Sequence, residues 1–309
     1  MQKNSGIGGQ AVIEGIMMRN GGTYSIAARK PNGEIAIEVK PYKSVIPGET
    51  VWKIPLLRGV VSFIDSLVVG VTSLMWSADQ AVEDEEEDKP KTAEEQAKDE
   101  RMWKVLMTGT VIFSVAFSVV LFMLLPFFLA GLLRKAGASD VVINLVEAVL
   151  RLAIFLCYMV LISRMKDIQR VFAYHGAEHK CINCIEHDLD LTVENVMKSS
   201  RQHRRCGTSF LLIVISISIV VFLILGLFGI RSKLWRFLWR LILIPVIAGI
   251  SYELLRYAGS HDGRIINQLV KPGLALQKLV TREPDEQECE VAIKAIEAVF
   301  DWKKWQGKA

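Results

Sequence analysis

This chain has few of the features that mark secreted or nucleic-acid-binding proteins. It carries 37 Lys and Arg against 33 Asp and Glu, a net charge of +4. That excess is too small and too dispersed for the clustered basic face that nucleic acid requires, so no nucleic-acid partner is expected. Cysteines number five, an odd count. Three of them (Cys181, Cys184 and Cys206) crowd one region, which favours thiols or metal ligands over a disulfide framework. The polar start Met1-Gln2-Lys3-Asn4-Ser5-Gly6 lacks the apolar core of a cleaved signal peptide. No internal repeat is present.

Charge is also missing from long stretches, and those stretches set the fold class. Four apolar runs, at about 105–133, 141–162, 209–230 and 237–257, are each long enough to cross a bilayer. The expected protein is an α-helical polytopic membrane protein with about four transmembrane helices and the lipid bilayer as its first partner. Pro126 predicts a kink in the first span. Glu147 and Arg151, four apart in the second, can pair on one helix face. Trp235 and Trp239 suit an interfacial belt. Lys and Arg are concentrated in residues 1–104, 163–208 and 256–309, with 13, 8 and 9 respectively. By the positive-inside rule these regions, and both termini, are cytoplasmic. The protein is then multi-pass in the cell membrane.

The remaining segments divide as follows. Residues 1–54 predict a small β-rich cytoplasmic region. Thr23–Lys30 and Glu34–Lys40 read as strands joined by the turn Pro31-Asn32-Gly33, Gly6–Gln10 reads as loose backbone, and Glu14 as a solvent-facing strand residue. Residues 55–82 carry a helical apolar stripe interrupted by Arg58 and Asp65, which predicts an interfacial or re-entrant helix, although a fifth crossing stays open. Residues 83–104, opening on Glu83-Asp84-Glu85-Glu86-Glu87-Asp88, read as an acidic linker. The tail 258–309 contains turns at Gly259–Gly263 and Lys271-Pro272-Gly273. It then predicts a capping box at Asp285–Glu288 that opens an amphipathic C-terminal helix.

The chemistry gathers in the loop 163–208, between the spans 105–162 and 209–257. His175-Gly176-Ala177-Glu178-His179 places two imidazoles and a carboxylate at i, i+3 and i+4, on one helix face. Two histidines one turn apart can hold one divalent metal ion, with zinc the expected cofactor, and an adjacent carboxylate can take a proton from metal-bound water. H-x-x-E-H is the inverted metalloprotease signature. Glu178 is thus the candidate base and His175 and His179 the candidate ligands. The shell can be completed from Glu194, His203 or Cys206, and Glu253, His261 and Asp262 also lie near the same membrane edge. Glu253 has an alternative role as partner of Arg256. A second pattern overlaps the first: Cys181-x2-Cys184 with His203-x2-Cys206 has the spacing of a closed Cys₃His zinc site.

Several blocks resemble the YqhQ-like family of uncharacterised bacterial membrane proteins, labelled predicted metal-dependent enzymes. They are Gly8-Gly9-Gln10-Ala11-Val12-Ile13-Glu14-Gly15, Tyr174–Lys180, Leu191–Val196, His203–Phe210, Pro272-Gly273-Leu274 and Thr281–Asp285. The resemblance implies a membrane protein with a metal and no defined reaction. The chain departs from the family pattern at His203-Arg204-Arg205-Cys206, where His-Pro-Arg-Cys is expected, and in having the Cys181/Cys184 pair. Two functions are therefore carried forward. One is a metal-dependent hydrolase. The other is a non-enzymatic membrane assembly factor or scaffold with a structural metal, working as a homo-oligomer or with a membrane-protein partner. A transporter is a third reading, thinly supported by the few charges in the spans.

Overall fold

The computed structural model describes residues 3–82, 93–227, 232–261 and 263–308. The acidic run Glu83–Asp88 and Asp262 lie outside them. The described chain is mostly helical with one small antiparallel sheet, and it divides into two compact units.

The first unit comprises Met1–Glu83, Met159–Ser218 and Ser232–Ala309. Its sheet is a four-stranded meander, β1 (Gly8–Val12), β2 (Gly15–Asn20), β3 (Thr23–Arg29) and β4 (Ile35–Pro41), in the order β1-β2-β3-β4. The Pro31-Asn32-Gly33 turn joins β3 to β4, as the sequence predicts. Gly8–Gln10, expected as loose backbone, belongs to the strand Gly8–Val12, which pairs with β2 from Gly8↔Arg19 to Val12↔Gly15. Glu14 is correspondingly not a strand residue. It sits in the two-residue β1–β2 turn at φ +50, a left-handed value uncommon outside glycine, and its carboxylate pairs with Arg170.

Side chains alternate across the sheet, and both faces are covered. Val12, Met17, Tyr24 and Ile26 pack with Val69 on one side. Ile7, Ile16, Met18 and Ala27 join a larger core on the other. The first face meets α2 (Leu57–Ala81), which follows a short α1 (Glu49–Lys53). The second meets α6 (Lys166–Glu186) and α11 (Glu286–Glu297). The capping box of α11 is present: Glu288 N donates to Asp285 Oδ1 and Asp285 N to Glu288 Oε2, both at 2.9 Å.

Two further helices, α7 (Val193–Lys198) and α10 (Arg264–Val280), belong to this unit, with α12 (Trp302–Gln306) at the end. The turn expected at Lys271-Pro272-Gly273 does not form. α10 runs through it, burying Gly273, Leu276, Gln277 and Val280 at helical spacing. A Cβ on Gly273 would fall 2.7 Å from Ser209 Oγ, so this helix lies close against its neighbour. Tertiary packing outweighs the one backbone hydrogen bond that proline removes.

α9 (Lys233–Ser260) approaches α2 through small residues, with Gly249 against Leu56 and Gly59 against Tyr252. Arg58 makes a two-pronged ion pair with Glu253, both bonds at 2.6 Å. Glu253 therefore pairs across helices rather than with Arg256 on its own.

The second unit comprises Asp84–Tyr158 and Ile219–Arg231. α3 (Ala93–Val119) passes through a π-helical turn, Val120–Leu124, into α4 (Leu125–Leu132) and a 3₁₀ turn, Leu133–Ala136. Pro126 directly follows the π turn, where a missing amide donor disturbs the ladder. α3 begins at Ala93, so the C-terminal part of the expected linker is helical. In α5 (Asp140–Ile162), Arg151 donates to Glu147 at 2.8 Å, both residues are buried, and Arg151 lies over the Phe222 ring. Phe222 is carried by α8 (Gly207–Leu227), which runs through both units.

By length and composition five helices could cross a membrane: Leu57–Ala81, Val105–Ala136, Asp140–Ile162, Gly207–Gly226 and Phe237–Ser260. Leu57–Ala81, expected as an interfacial or re-entrant helix, is among them.

Candidate metal centre

α6 contains no proline and no β-branched run, and its one glycine has a specific role. A Cβ on Gly176 would fall 2.0 Å from the Arg282 carbonyl oxygen. The segment after α10 thus crosses α6 in direct backbone contact, which only glycine permits. Arg282 N donates to Phe172 O at 2.8 Å. The same crossing carries the last carbonyl of α10 to the site, where His175 Nδ1 donates to Val280 O at 2.9 Å.

The second histidine is held by the opposite side of the loop. Lys180 Nζ donates to Met197 O and Ser199 O, and Asn183 Nδ2 to Ser200 O and Gln202 O. These bonds clamp residues 197–202 along α6. Arg201 O then accepts from His179 Nδ1 at 2.7 Å. Both Nδ1 atoms are committed to carbonyls, so each Nε2 carries its lone pair outward. This is the outer-shell arrangement that fixes tautomers in metal sites.

Cys206, one residue before α8, completes the group. Its Sγ lies 3.3 Å from His175 Nε2, and the Thr208 amide and hydroxyl reach it at 3.4 and 3.1 Å. One ligand atom from each of His175, His179 and Cys206 lies within 4.8 Å of the others, and this is the one such group among the described residues. Donors on a tetrahedral zinc ion stand roughly 3.3–3.8 Å apart, given bond lengths of about 2.0–2.3 Å. The Cys206–His175 separation of 3.3 Å falls in that range, and the group as a whole, within 4.8 Å, would close by up to about 1 Å to hold such an ion with one position open.

Glu178 stands beside the group. Its Oε1 accepts from Gly9 N at 3.1 Å, while its buried Oε2 has no hydrogen-bond partner. Burial raises its carboxyl above the ordinary value, against the opposing pull of His175 and the Gly9 amide. A Cβ at Gly9 would meet Met18 Sδ at 2.5 Å and Glu178 Cδ at 3.1 Å. The Gly8-Gly9-Gln10 block therefore lets the sheet edge press its backbone onto the carboxylate. Gln10 does the same work toward α2, where its amide abuts Gly70.

The other sequence candidates lie elsewhere. His203 packs its ring 5.7 Å from that of His179, with its Nε2 3.5 Å from Glu186 Oε2. Burial lowers its pKa to about 4 against the pull of Glu186. Glu194 pairs with Lys198 at 2.6 Å on an exposed helix face, outside the group. His261 stacks on Tyr257. Cys181 and Cys184 are buried in the hydrophobic core rather than gathered with Cys206. The closed Cys₃His arrangement is therefore not formed, and burial pushes both thiols up, Cys184 to about 11.

Sequence reasoning missed Gln277. Fully buried, it donates to His203 O at 2.7 Å and accepts from His203 N at 2.9 Å. It also missed Glu186, whose pKa falls to about 2 because hydrogen bonds from His203, Arg205 and the Ser5 amide outweigh burial. Neither residue is part of a ligand pattern, so no spacing rule would have found it.

These features define a mostly helical, membrane-associated protein with a His/His/Cys donor cluster at the meeting of α6 and the start of α8. The chain belongs to the DUF1385 family, described as a protein of unknown function, whose pattern matches residues 54–302. It is also 37% identical over 291 residues to the uncharacterized protein YqhQ of Bacillus subtilis (strain 168), covering 94% of this chain and 90% of that protein. No solved structure matches it.

Proposed function

We propose that this is a multi-pass membrane metalloprotein in which His175, His179 and Cys206 hold a divalent ion, zinc by the softness of the donors, and Glu178 is the base of a metal-assisted hydrolysis. One observation carries the reading: three donor atoms converge, two with tautomers fixed by carbonyls, beside a buried carboxyl that has an unpartnered oxygen. A bound ion with an open position supplies Lewis acidity and an acidified water. The chain's own residues do the rest. Val280 O and Arg201 O orient the imidazoles, the Gly9 amide fixes one oxygen of Glu178, and burial raises the carboxyl toward the range useful for proton transfer.

The topology of four crossings with both termini cytoplasmic has its own support. The N-terminal sheet, α6 and α11 share one hydrophobic core. If Leu57–Ala81 crossed the membrane fully, the sheet and α6 would lie on opposite sides, because three crossings would separate them. A shared core favours an even number, which supports α2 lying in the membrane surface rather than traversing it. Its outward residues Leu57, Ile64, Leu67, Val68, Leu74 and Met75 form an exposed apolar stripe suited to that position.

The test is metal content by elemental analysis of purified wild type and the His175→Ala/His179→Ala variant. Metal in the first and none in the second is expected; equal, near-zero metal in both removes the reading. A second reading has its own observation. An ion at this cluster would tie α6 to the start of α8 and could serve only to staple a scaffold. Glu178→Gln separates the two, since it keeps shape but loses the base. Full complementation of a deletion strain by this variant excludes hydrolysis by Glu178, whereas metal retention with loss of function favours the enzyme.

A further inference from the structure

Beside His203, on the side away from the donor cluster, lies a half-open pocket of about 450 Å³ lined mostly by polar and charged residues. Its cationic lining is Lys3, Arg204 and Arg205, with His187 and His261 beside them and Glu186 as the one carboxylate among the described residues. One oxygen of Glu186 is already committed, while its buried Oε2 has no hydrogen-bond partner. Its Oε1 takes Ser5 N, Ser5 Oγ and Arg205, and its side chain is 1% exposed. Lys3 also reaches Asp188 at 2.7 Å. Arg205 is shaped for its place: its aliphatic stem packs on Gly259, where a Cβ would fall 2.7 Å from Arg205 Cγ.

Gly259 and Ser260 end the apolar helix Phe237–Ser260, so the cavity opens where that helix leaves its apolar stretch. Leu274 is the one aliphatic side chain among its described lining residues. The lining is cationic and rich in N–H donors, and guanidinium groups match tetrahedral oxyanions through paired hydrogen bonds.

We propose that this cavity binds the phosphate group of an anionic ester, either a phospholipid headgroup or a soluble phosphate ester. The site goes beyond the metal reading and does not need it. It lies one imidazole away from the donor cluster, with His203 facing the cavity on one side and His179 on the other.

The experiment uses full-length protein in phosphatidylcholine nanodiscs, stripped of metal by chelation. One arm measures binding of radiolabelled inorganic phosphate and glycerol phosphate. The other replaces part of the lipid with phosphatidylglycerol and measures, by mass spectrometry, the anionic lipid retained after transfer to detergent. Wild type is compared with Lys3→Gln/Arg204→Gln, and with Lys3→Gln alone should the double variant fail to fold. Saturable binding in either arm is expected, about ten- to a hundredfold weaker in the variant, in keeping with loss of charge-assisted hydrogen bonds. Binding of soluble phosphate identifies a free ester as ligand, and retention of lipid identifies a headgroup. No binding in either arm overturns the proposal, as does binding that is equal in the variants or appears only when metal is restored. Metal content of the same samples is read separately, so loss of the anion site and loss of the metal site are told apart.

Discussion

Gly176→Ala sets two well-known effects against each other. Alanine is the better helix former, and in the middle of an isolated helix the change stabilises by about 1 kcal/mol. Here the added Cβ would stand 2.0 Å from the Arg282 carbonyl oxygen, a contact with backbone that no rotamer can relieve. Either α6 or the 280–284 segment must shift. Overpacking of this kind costs about 1–3 kcal/mol. The shift also breaks the Arg282 N–Phe172 O and His175 Nδ1–Val280 O hydrogen bonds, at about 1 kcal/mol each. The clash wins, and a net destabilisation of about 2–4 kcal/mol is expected. Loss of the Val280 contact also frees the His175 ring, so metal affinity falls along with stability. Thermal unfolding in detergent and metal content of the same preparation are the assays. A variant at least as stable as wild type, with full metal, would show that the backbone crossing does not position His175.

Three further outcomes follow from the geometry. Gln277→Ala removes the side chain that holds both backbone groups of His203 and donates to Ser209 Oγ; at about 1 kcal/mol per lost hydrogen bond a destabilisation of about 2–3 kcal/mol is expected in thermal unfolding, and a variant as stable as wild type would contradict the role. Glu186 has a folded pKa of about 2, below its ordinary 4.5, so its stabilisation is fully present above about pH 4.5 and is lost as pH falls toward 2. At about 1.4 kcal/mol per pH unit that is on the order of 3 kcal/mol, and Glu186→Gln should flatten the stability profile in that window; an unchanged slope contradicts the assignment. Cysteines introduced at Asn32 and Lys308 should both be labelled from the cytoplasmic side by an impermeant thiol reagent in inverted vesicles and protected in intact cells, while opposite labelling of the two would make Leu57–Ala81 a full crossing.

Local pattern carried much of this structure. The apolar runs, the Pro31-Asn32-Gly33 hairpin, the capping box of α11 and the common face of His175, Glu178 and His179 are each set by residues a few positions apart. What was not legible depends on distant partners. Gly8–Gln10 looks unstructured by propensity and becomes part of a strand because β2 pairs with it. Pro272 reads as a break, yet α10 continues because its buried face packs closely. Cys181 and Cys184 have ligand spacing, but the face that holds them points into the core, and the thiol that joins the histidines is Cys206. Glu253 has Arg256 within one turn, but Arg58 of α2 offers a two-pronged partner. Spacing shows which residues can share a face, and packing decides what that face meets.

The central claim is a metal held by two imidazoles and one thiolate. X-ray absorption at the zinc edge of the purified protein tests it most directly. A first coordination sphere with one sulfur, two imidazole nitrogens and a further light donor is the predicted result, from His175, His179 and Cys206 with the open position filled by solvent. Two or three sulfurs in that sphere, which would bring in Cys181 and Cys184, or a purified protein without stoichiometric metal, would contradict it.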